Sequence, residues 1–218
     1  MRIERVIKSE GKTEKYVVLF DDGTEIKVTA VQIADYGIYS GRELPDEDYA
    51  ELRGDLAVSS AKTRALRILG NRNLSAREIE KRLVRKGESS EAAEQAVEWL
   101  ENIGAINDAE YAESIVRHYS SKGYGVARIR DELFRRGIDR ELWEEALSII
   151  GDMEDTAYEF LVKKLRGSRD KDELRRAADT LHRRGFSYDE ARAAVRRYMG
   201  EAGAEDTEGA EETEDSEL

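Results

Sequence analysis

The sequence predicts a mainly α protein: three tandem three-helix repeats forming an elongated curved array, preceded by a small α+β N-terminal module. Three observations carry that prediction. A unit recurs around Gly87, Gly137 and Gly185, at spacings of 50 and 48 residues. Each anchor follows a leucine by four residues (Leu83, Leu133, Leu181) and two cations directly (Arg85-Lys86, Arg135-Arg136, Arg183-Arg184). A helix-capping type stands two residues after each (Ser89, Asp139, Ser187), and an alanine nine after (Ala96, Ala146, Ala194). Self-similarity at such a period marks stacked supersecondary units, each too small to bury its apolar face alone. The second observation is composition: 39% charged residues and one proline favour long exposed helices over a large sheet. The third is a change of texture near residue 58, which separates the repeats from what precedes them.

Residues 1–58 read as the N-terminal module. Ile3–Lys8 and Tyr16–Phe20 are apolar-rich runs, and Asp21-Asp22-Gly23 is a hairpin signal before Thr24–Val28. Residues 29–40 and 46–58 read as short helices broken around Gly41 and Pro45. So small a sheet is marginal alone and should pack on neighbouring structure. From Ser59 the pattern is helical in triplets. Repeat one (59–107) has helices near 59–70, 75–86 and 90–103. Repeat two (108–152) has 108–121, 126–136 and 140–150; repeat three (153–200) has 153–166, 171–184 and 188–199. The second helices share an i, i+3, i+7 stripe: Ala76/Ile79/Leu83, Val126/Ile129/Leu133 and Leu174/Ala177/Leu181. Ser75, Asn107, Asp170 and Ser187, each with glutamate three residues on, are capping signatures. Each anchor glycine falls where a helix ends with positive φ. Residues 201–218 lack apolar area to bury and read as a disordered acidic tail.

Charge divides unevenly. Residues 1–58 carry 8 Lys/Arg against 13 Asp/Glu, residues 59–200 carry 28 against 26, and residues 201–218 carry none against 9. The net charge of −12 therefore sits at the ends, and it does not argue against a nucleoprotein partner. With no cysteine, disulfides and thiolate catalysis are excluded. No signal peptide or 18-residue apolar window occurs, so a soluble cytoplasmic protein is expected.

Little in the sequence points to catalysis. His118 and His182 stand in different repeats, and no HxxxH, HExxH, GxxxxGK[ST] or GxGxxG occurs. Gly123-Tyr124-Gly125 before a helix reads as a helix–helix turn rather than a phosphate cradle. Carboxylates such as Asp131 and Glu132 pair with arginines at helical spacing. Trp99 and Trp143 fall beside apolar stripes and read as core. No enzyme, cofactor or metal is expected. The basic pairs have two readings. Cations in a last helical turn complement the macrodipole by about 0.3–1 kcal/mol each. Three pairs in register would also form a basic stripe suited to a polymeric partner. Helix 126–136 is expected to turn Arg128, Arg135 and Arg136 outward beside Tyr124, an arginine–aromatic composition typical of interface hot spots and base-stacking surfaces. Ordinary packing of Tyr124 at its turn is the alternative.

The segment from Gly123 to Ile138, GYGVARIRDELFRRGI, closely resembles the hallmark of the bacterial RecX family, regulators of the RecA recombinase. Leu74–Ile79 through Lys86-Gly87 is similar to that family's first-repeat motif, Asn107–Ala112 to the start of its second, and Arg184–Tyr188 to the end of its third. Val126 departs from the pattern, standing where many members have proline. The resemblance spans about residues 59–199. It implies a non-enzymatic negative modulator, a monomer that binds in the groove of the RecA–single-stranded DNA filament and lowers ATPase and strand exchange. The expected contact residues are Tyr124, Arg128, Arg135 and Arg136, extended by Arg85, Lys86, Arg183 and Arg184. The competing reading is a helical-repeat protein that binds DNA directly, to which the interspersed acids offer a field that is nowhere uniformly positive. The acidic tail reads as a solubility element, with folding back onto the cations as the alternative.

Overall fold

The computed structural model describes residues 1–9 and 14–211, with side chains described through residue 200. Among the described residues there are ten α-helices and one three-stranded sheet. The chain divides into two compact units: residues 1–72 with 79–105, and residues 73–78 with 106–218.

The first unit opens with the meander, β1 (Ile3–Lys8), β2 (Lys15–Phe20) and β3 (Glu25–Thr29), antiparallel in the order β1-β2-β3. Val6 opposes Val18, and Val18 opposes Ile26, which sets the apolar register. The hairpin turns at Gly23, with φ 82°. Thr29 caps α1 (Ala30–Asp35) through a reciprocal box with Gln32. Ile3, Val18, Phe20, Ile26, Val28, Ile38, Leu44 and Leu52 form the core. The two helices expected at 46–58 and 59–70 are one helix, α2 (Asp46–Leu69). Its first turn is acidic, and no proline interrupts it before Gly70 ends it at φ 49°. The texture change near residue 58 marks a change of neighbour rather than a break: Leu52 joins the sheet core, whereas the C-terminal half of α2 accompanies α4 (Ser90–Asn102) with Ala61 and Ala65 buried. In the chain α3 (Ala76–Arg85) comes between α2 and α4, with Ile79 and Leu83 fully buried.

The second unit holds α5 (Asp108–Ser121), α6 (Val126–Arg135), a 3-10 turn at Arg140–Leu142 and the short α7 (Trp143–Leu147). The last pair replaces the single helix expected at 140–150. Asp139 caps Glu141 N–H at 3.1 Å, which starts the segment as a tighter turn. Trp143 is half-buried, its indole N–H donating to the Ile138 carbonyl at 3.1 Å. Then follow α8 (Met153–Leu165), α9 (Lys171–Arg183) and α10 (Tyr188–Glu211). Tyr111, Ala112, Ile115, Val116, Ile129, Leu133, Ile138 and Ala146 make one core; Leu161, Leu181, Phe186 and Tyr198 lie in the other. The α10 backbone continues through Glu211 into the stretch read as an acidic tail; residues 212–218 lie outside the described residues.

The four capping signatures all act at helix starts. Ser75 and Ser187 form full reciprocal boxes with Glu78 and Glu190, Asn107 accepts from Ala109 and Glu110, and Asp170 from Glu173. The three anchor glycines have φ of 93°, 71° and 90°. After each, the next N–H reaches back to the buried leucine's carbonyl: Glu88 to Leu83, Ile138 to Leu133 and Phe186 to Leu181, at 3.1–3.2 Å. This is the Schellman closure, written three times by the same residue pattern.

Candidate partner-binding surface

In the second unit, the start of one repeat's second helix receives the Schellman turn of the next. At the start of α3, the Ser75 hydroxyl donates to the Arg136 carbonyl, and Ala76 N–H donates to Asp108 Oδ1 at 2.9 Å. At the start of α6, Gly125 N–H donates to the Arg184 carbonyl at 2.9 Å and Ala127 N–H to the Gly185 carbonyl at 3.1 Å. At α6 the orphan donors of the helix N-terminus are thus satisfied by carbonyls of a neighbouring helix end, dipole to dipole. At α3, by contrast, the Asp108 carboxylate takes the backbone N–H and the Ser75 side chain meets the carbonyl. Burial raises the Asp108 carboxyl above its ordinary value, partly offset by the Ala76 hydrogen bond. The second junction has no room for side chains. A Cβ on Gly125 would stand under 3.0 Å from the Gly185 carbonyl and Phe186 N, and one on Gly185 under 3.0 Å from Arg128 N and Cβ. The GYG motif is therefore an element of close backbone docking, and the sequence offered only the spacing of its glycines as a signal.

The basic pairs split by position. The second member of the pair turns inward in both repeats of this unit. Arg136 was expected to project outward; it lies over the Tyr111 ring at 5.6 Å, donates to the Tyr111 hydroxyl and pairs with Glu132 at 2.9 Å. Glu132 is 8% exposed, so Arg136 neutralises a buried carboxylate. Burial works against the guanidinium's charge, but Glu132 and Tyr111 outweigh it and hold Arg136 above its ordinary pKa. Burial likewise pushes the Tyr111 hydroxyl up, against the lowering effect of Arg136. Arg184 donates to the carbonyls of Lys122 and Gly123 at 3.1 and 3.2 Å, closing the end of α5. It also stacks over Tyr124 at 5.3 Å and Phe160 at 4.8 Å. Tyr124 meets Tyr119 at 5.5 Å on its other flank, so it is packed within the turn.

The first members stay in solvent. Arg135 is exposed, 3.9 Å from Glu132, and Arg183 is exposed with a contact to the Thr180 hydroxyl at 3.1 Å. Arg128 is half-buried beside Gly185, and Arg130 is exposed one residue past Ile129. Arg85 and Lys86, in the first unit, are both exposed, and the Lys86 carbonyl accepts from Arg64 at 2.6 Å. The structure therefore brings Tyr124 to Arg184 and Arg128 to Gly185, and sets Arg135 and Arg136 on one carboxylate. Phe134, which the sequence reading passed over, is 63% exposed on α6 next to Arg135. Its signal was available: an aromatic one step beyond the buried Leu133 falls off the apolar stripe. Among the described residues no cluster of His, Cys, Asp and Glu has metal-binding geometry.

Two family models match the helical body: "RecX, second three-helix domain" over residues 107–147 and "RecX, first three-helix domain" over residues 61–100. The regulatory protein RecX of Stenotrophomonas maltophilia is 38% identical over 136 residues, 61% of this chain and 83% of that protein. The chain belongs to the RecX family. The regulatory protein RecX of Bacillus subtilis matches over 199 residues at 30% identity, covering 88% of this chain and 75% of its own. Two RecX crystal structures share the fold. One is described as regulatory protein RecX, at a TM-score of 0.68 and 21% identity over 87% of this chain and 96% of that one. The other, from Lactobacillus salivarius, has a TM-score of 0.58 and 24% identity over 65% and 96%. Both RecX domain models fall on three-helix repeats, and the second contains the whole of α6. No helix among the described residues is long and apolar enough to cross a membrane.

Proposed function

We propose that this protein is a cytoplasmic negative modulator of the RecA recombinase, which binds in the groove of the RecA–single-stranded DNA filament and lowers its ATPase and strand-exchange activity. Membership of the RecX family is the observation that carries the reading. It acts by binding energy alone, with no bond made or broken. The outer face of α6 supplies the contact in this proposal: Phe134 as an apolar anchor, with Arg128, Arg130 and Arg135 around it. Arg183 extends the surface within the same unit, and Arg85 and Lys86 offer a separate contact in the first unit. Tyr124, Arg136 and Arg184 contribute by holding the turns from which those side chains project.

The test is the single-stranded-DNA-dependent ATPase of the cognate RecA, titrated with wild type and with the double variant Phe134→Ala/Arg135→Glu. Loss of an exposed anchor and reversal of an exposed charge should raise the half-inhibitory concentration by about tenfold or more, with the urea midpoint unchanged. Full inhibition by the folded variant would remove α6 from the contact. Absence of inhibition by wild type would remove the reading itself.

A further inference from the structure

The first unit carries a basic groove that the function proposed above does not use. It lies where α2 leaves the edge of the sheet, has a volume of about 500 Å³ and opens to solvent. Lys15 and Lys27 line it from β2 and β3. In the antiparallel register Lys15 opposes Thr29 and Val17 opposes Lys27, so both lysines share the sheet face opposite to Ile26 and Val28. From α2 come Arg53, Ser60, Thr63, Arg64 and Arg67. Their spacing of 7, 3, 1 and 3 residues keeps them on one helical face, about 21 Å long at 1.5 Å per residue.

The charges in this groove are not spent on one another. Its one lining carboxylate, Glu88, is held by Arg64 at 2.9 Å and by the Ser60 hydroxyl at 3.1 Å. Arg64 also donates to the Lys86 carbonyl, which ties the end of α3 to the wall. Lys15, Lys27, Arg53 and Arg67 form no ion pair with any described residue. This contrasts with the other side of the same unit, where Asp35, Asp48, Glu51 and Asp55 gather around Tyr36.

We infer that the groove is a seat for the phosphodiester backbone of a single-stranded nucleic acid, bound without regard to sequence. Four cations without carboxylate partners along an open channel match a polyanion rather than a small enclosed ligand. The Ser59 hydroxyl supplies a further donor suited to a phosphate oxygen, whereas that of Thr63 is spent on the Ser59 carbonyl at 3.0 Å. A stacked strand advances about 3.4 Å per nucleotide, so the α2 face spans about six phosphates. No aromatic side chain lines the groove, which leaves the bases unread. An acidic protein segment would meet the same cations, but Arg53 and Arg67, about 21 Å apart on one straight face, suit a chain that carries a charge at every step of its length rather than on scattered side chains.

The experiment uses the full chain with no recombinase present, so its outcome is independent of the filament reading. Binding of a fluorescein-labelled 30-nucleotide poly-dT is followed by anisotropy across a salt series, for wild type and for Arg53→Glu/Arg67→Glu. Both positions are exposed on α2, so the fold should be retained, as circular dichroism would verify. The expected result is an affinity loss of about tenfold or more at low salt, and a slope of log affinity against log salt reduced by about 1.4. Arg53→Lys/Arg67→Lys should keep wild-type affinity within about twofold, since lysine makes the same point-charge contact with phosphate. Unchanged binding by the glutamate variant, or no binding by wild type, would overturn the inference. Competition by poly-glutamate as strong as by unlabelled poly-dT at equal charge would also overturn it, in favour of an acidic protein.

Discussion

Gly87 and Gly185 occupy equivalent positions with nearly equal φ, 93° and 90°, yet their surroundings differ. A Cβ on Gly87 would meet nothing within 4 Å, whereas one on Gly185 would strike the Arg128 backbone. Gly87→Ala should therefore lose only the conformational term, about 1 kcal/mol. Gly185→Ala adds overpacking against rigid backbone and should lose about 2–4 kcal/mol. Urea denaturation compares them directly, and equal losses would show that the Gly125–Gly185 contact relaxes freely. The sequence made all three anchors legible as helix stops, because a leucine, two cations and a capping residue surround each. It could not rank them, since docking between distant segments decides which glycine is pressed by a neighbour.

At the scale of the element, α6 combines what was legible with what was not. Its boundaries and the burial of Ile129 and Leu133 follow from the apolar period and from Gly125 and Gly137. The direction of Arg136 does not, because α6 alone does not reveal that its i−4 partner Glu132 is buried or that a ring on another helix faces it. The reason is Tyr111 on α5 and the buried Glu132, which lies on the inward side next to Leu133. A helical wheel that treats every charge as outward misplaces both residues. Arg136→Ala should destabilise by about 2–3 kcal/mol, less than the loss typical of a fully buried pair because Arg136 keeps about a third of its surface in water. Adding Glu132→Gln, which removes the stranded charge, should restore about half of the loss. A double variant as unstable as the single would place the effect in the Tyr111 contact instead. The same reasoning explains α2: one continuous helical pattern was divided in two by its change of neighbour, from sheet to helix, which leaves no mark on backbone preference.

Across the whole molecule, the separation of charge was legible from composition alone, and its consequence is a matter of range. Nine carboxylates lie within residues 201–218, while the free cations of α6 and of the α2 groove belong to the folded units. A tethered anionic stretch repels an approaching polyanion over roughly one Debye length, about 30 Å at 0.01 M salt and about 8 Å at 0.15 M. Deleting residues 201–218 should therefore speed association with a labelled oligonucleotide several-fold at 0.01 M salt and by less than about twofold at 0.15 M. The thermal midpoint should stay put, since the deletion begins beyond Tyr198, the last buried residue among the described residues of the α8–α10 core. Stopped-flow anisotropy separates the alternatives. An acceleration that persists at 0.15 M would mean direct contact between the acidic stretch and the cations, because only short-range pairing survives screening. Equal rates at both salts for the two chains would mean that the stretch serves solubility alone. The low-salt acceleration is the expected result, since repulsion needs only charge and proximity, whereas seating the stretch on the cations would also have to offset the entropy of ordering it.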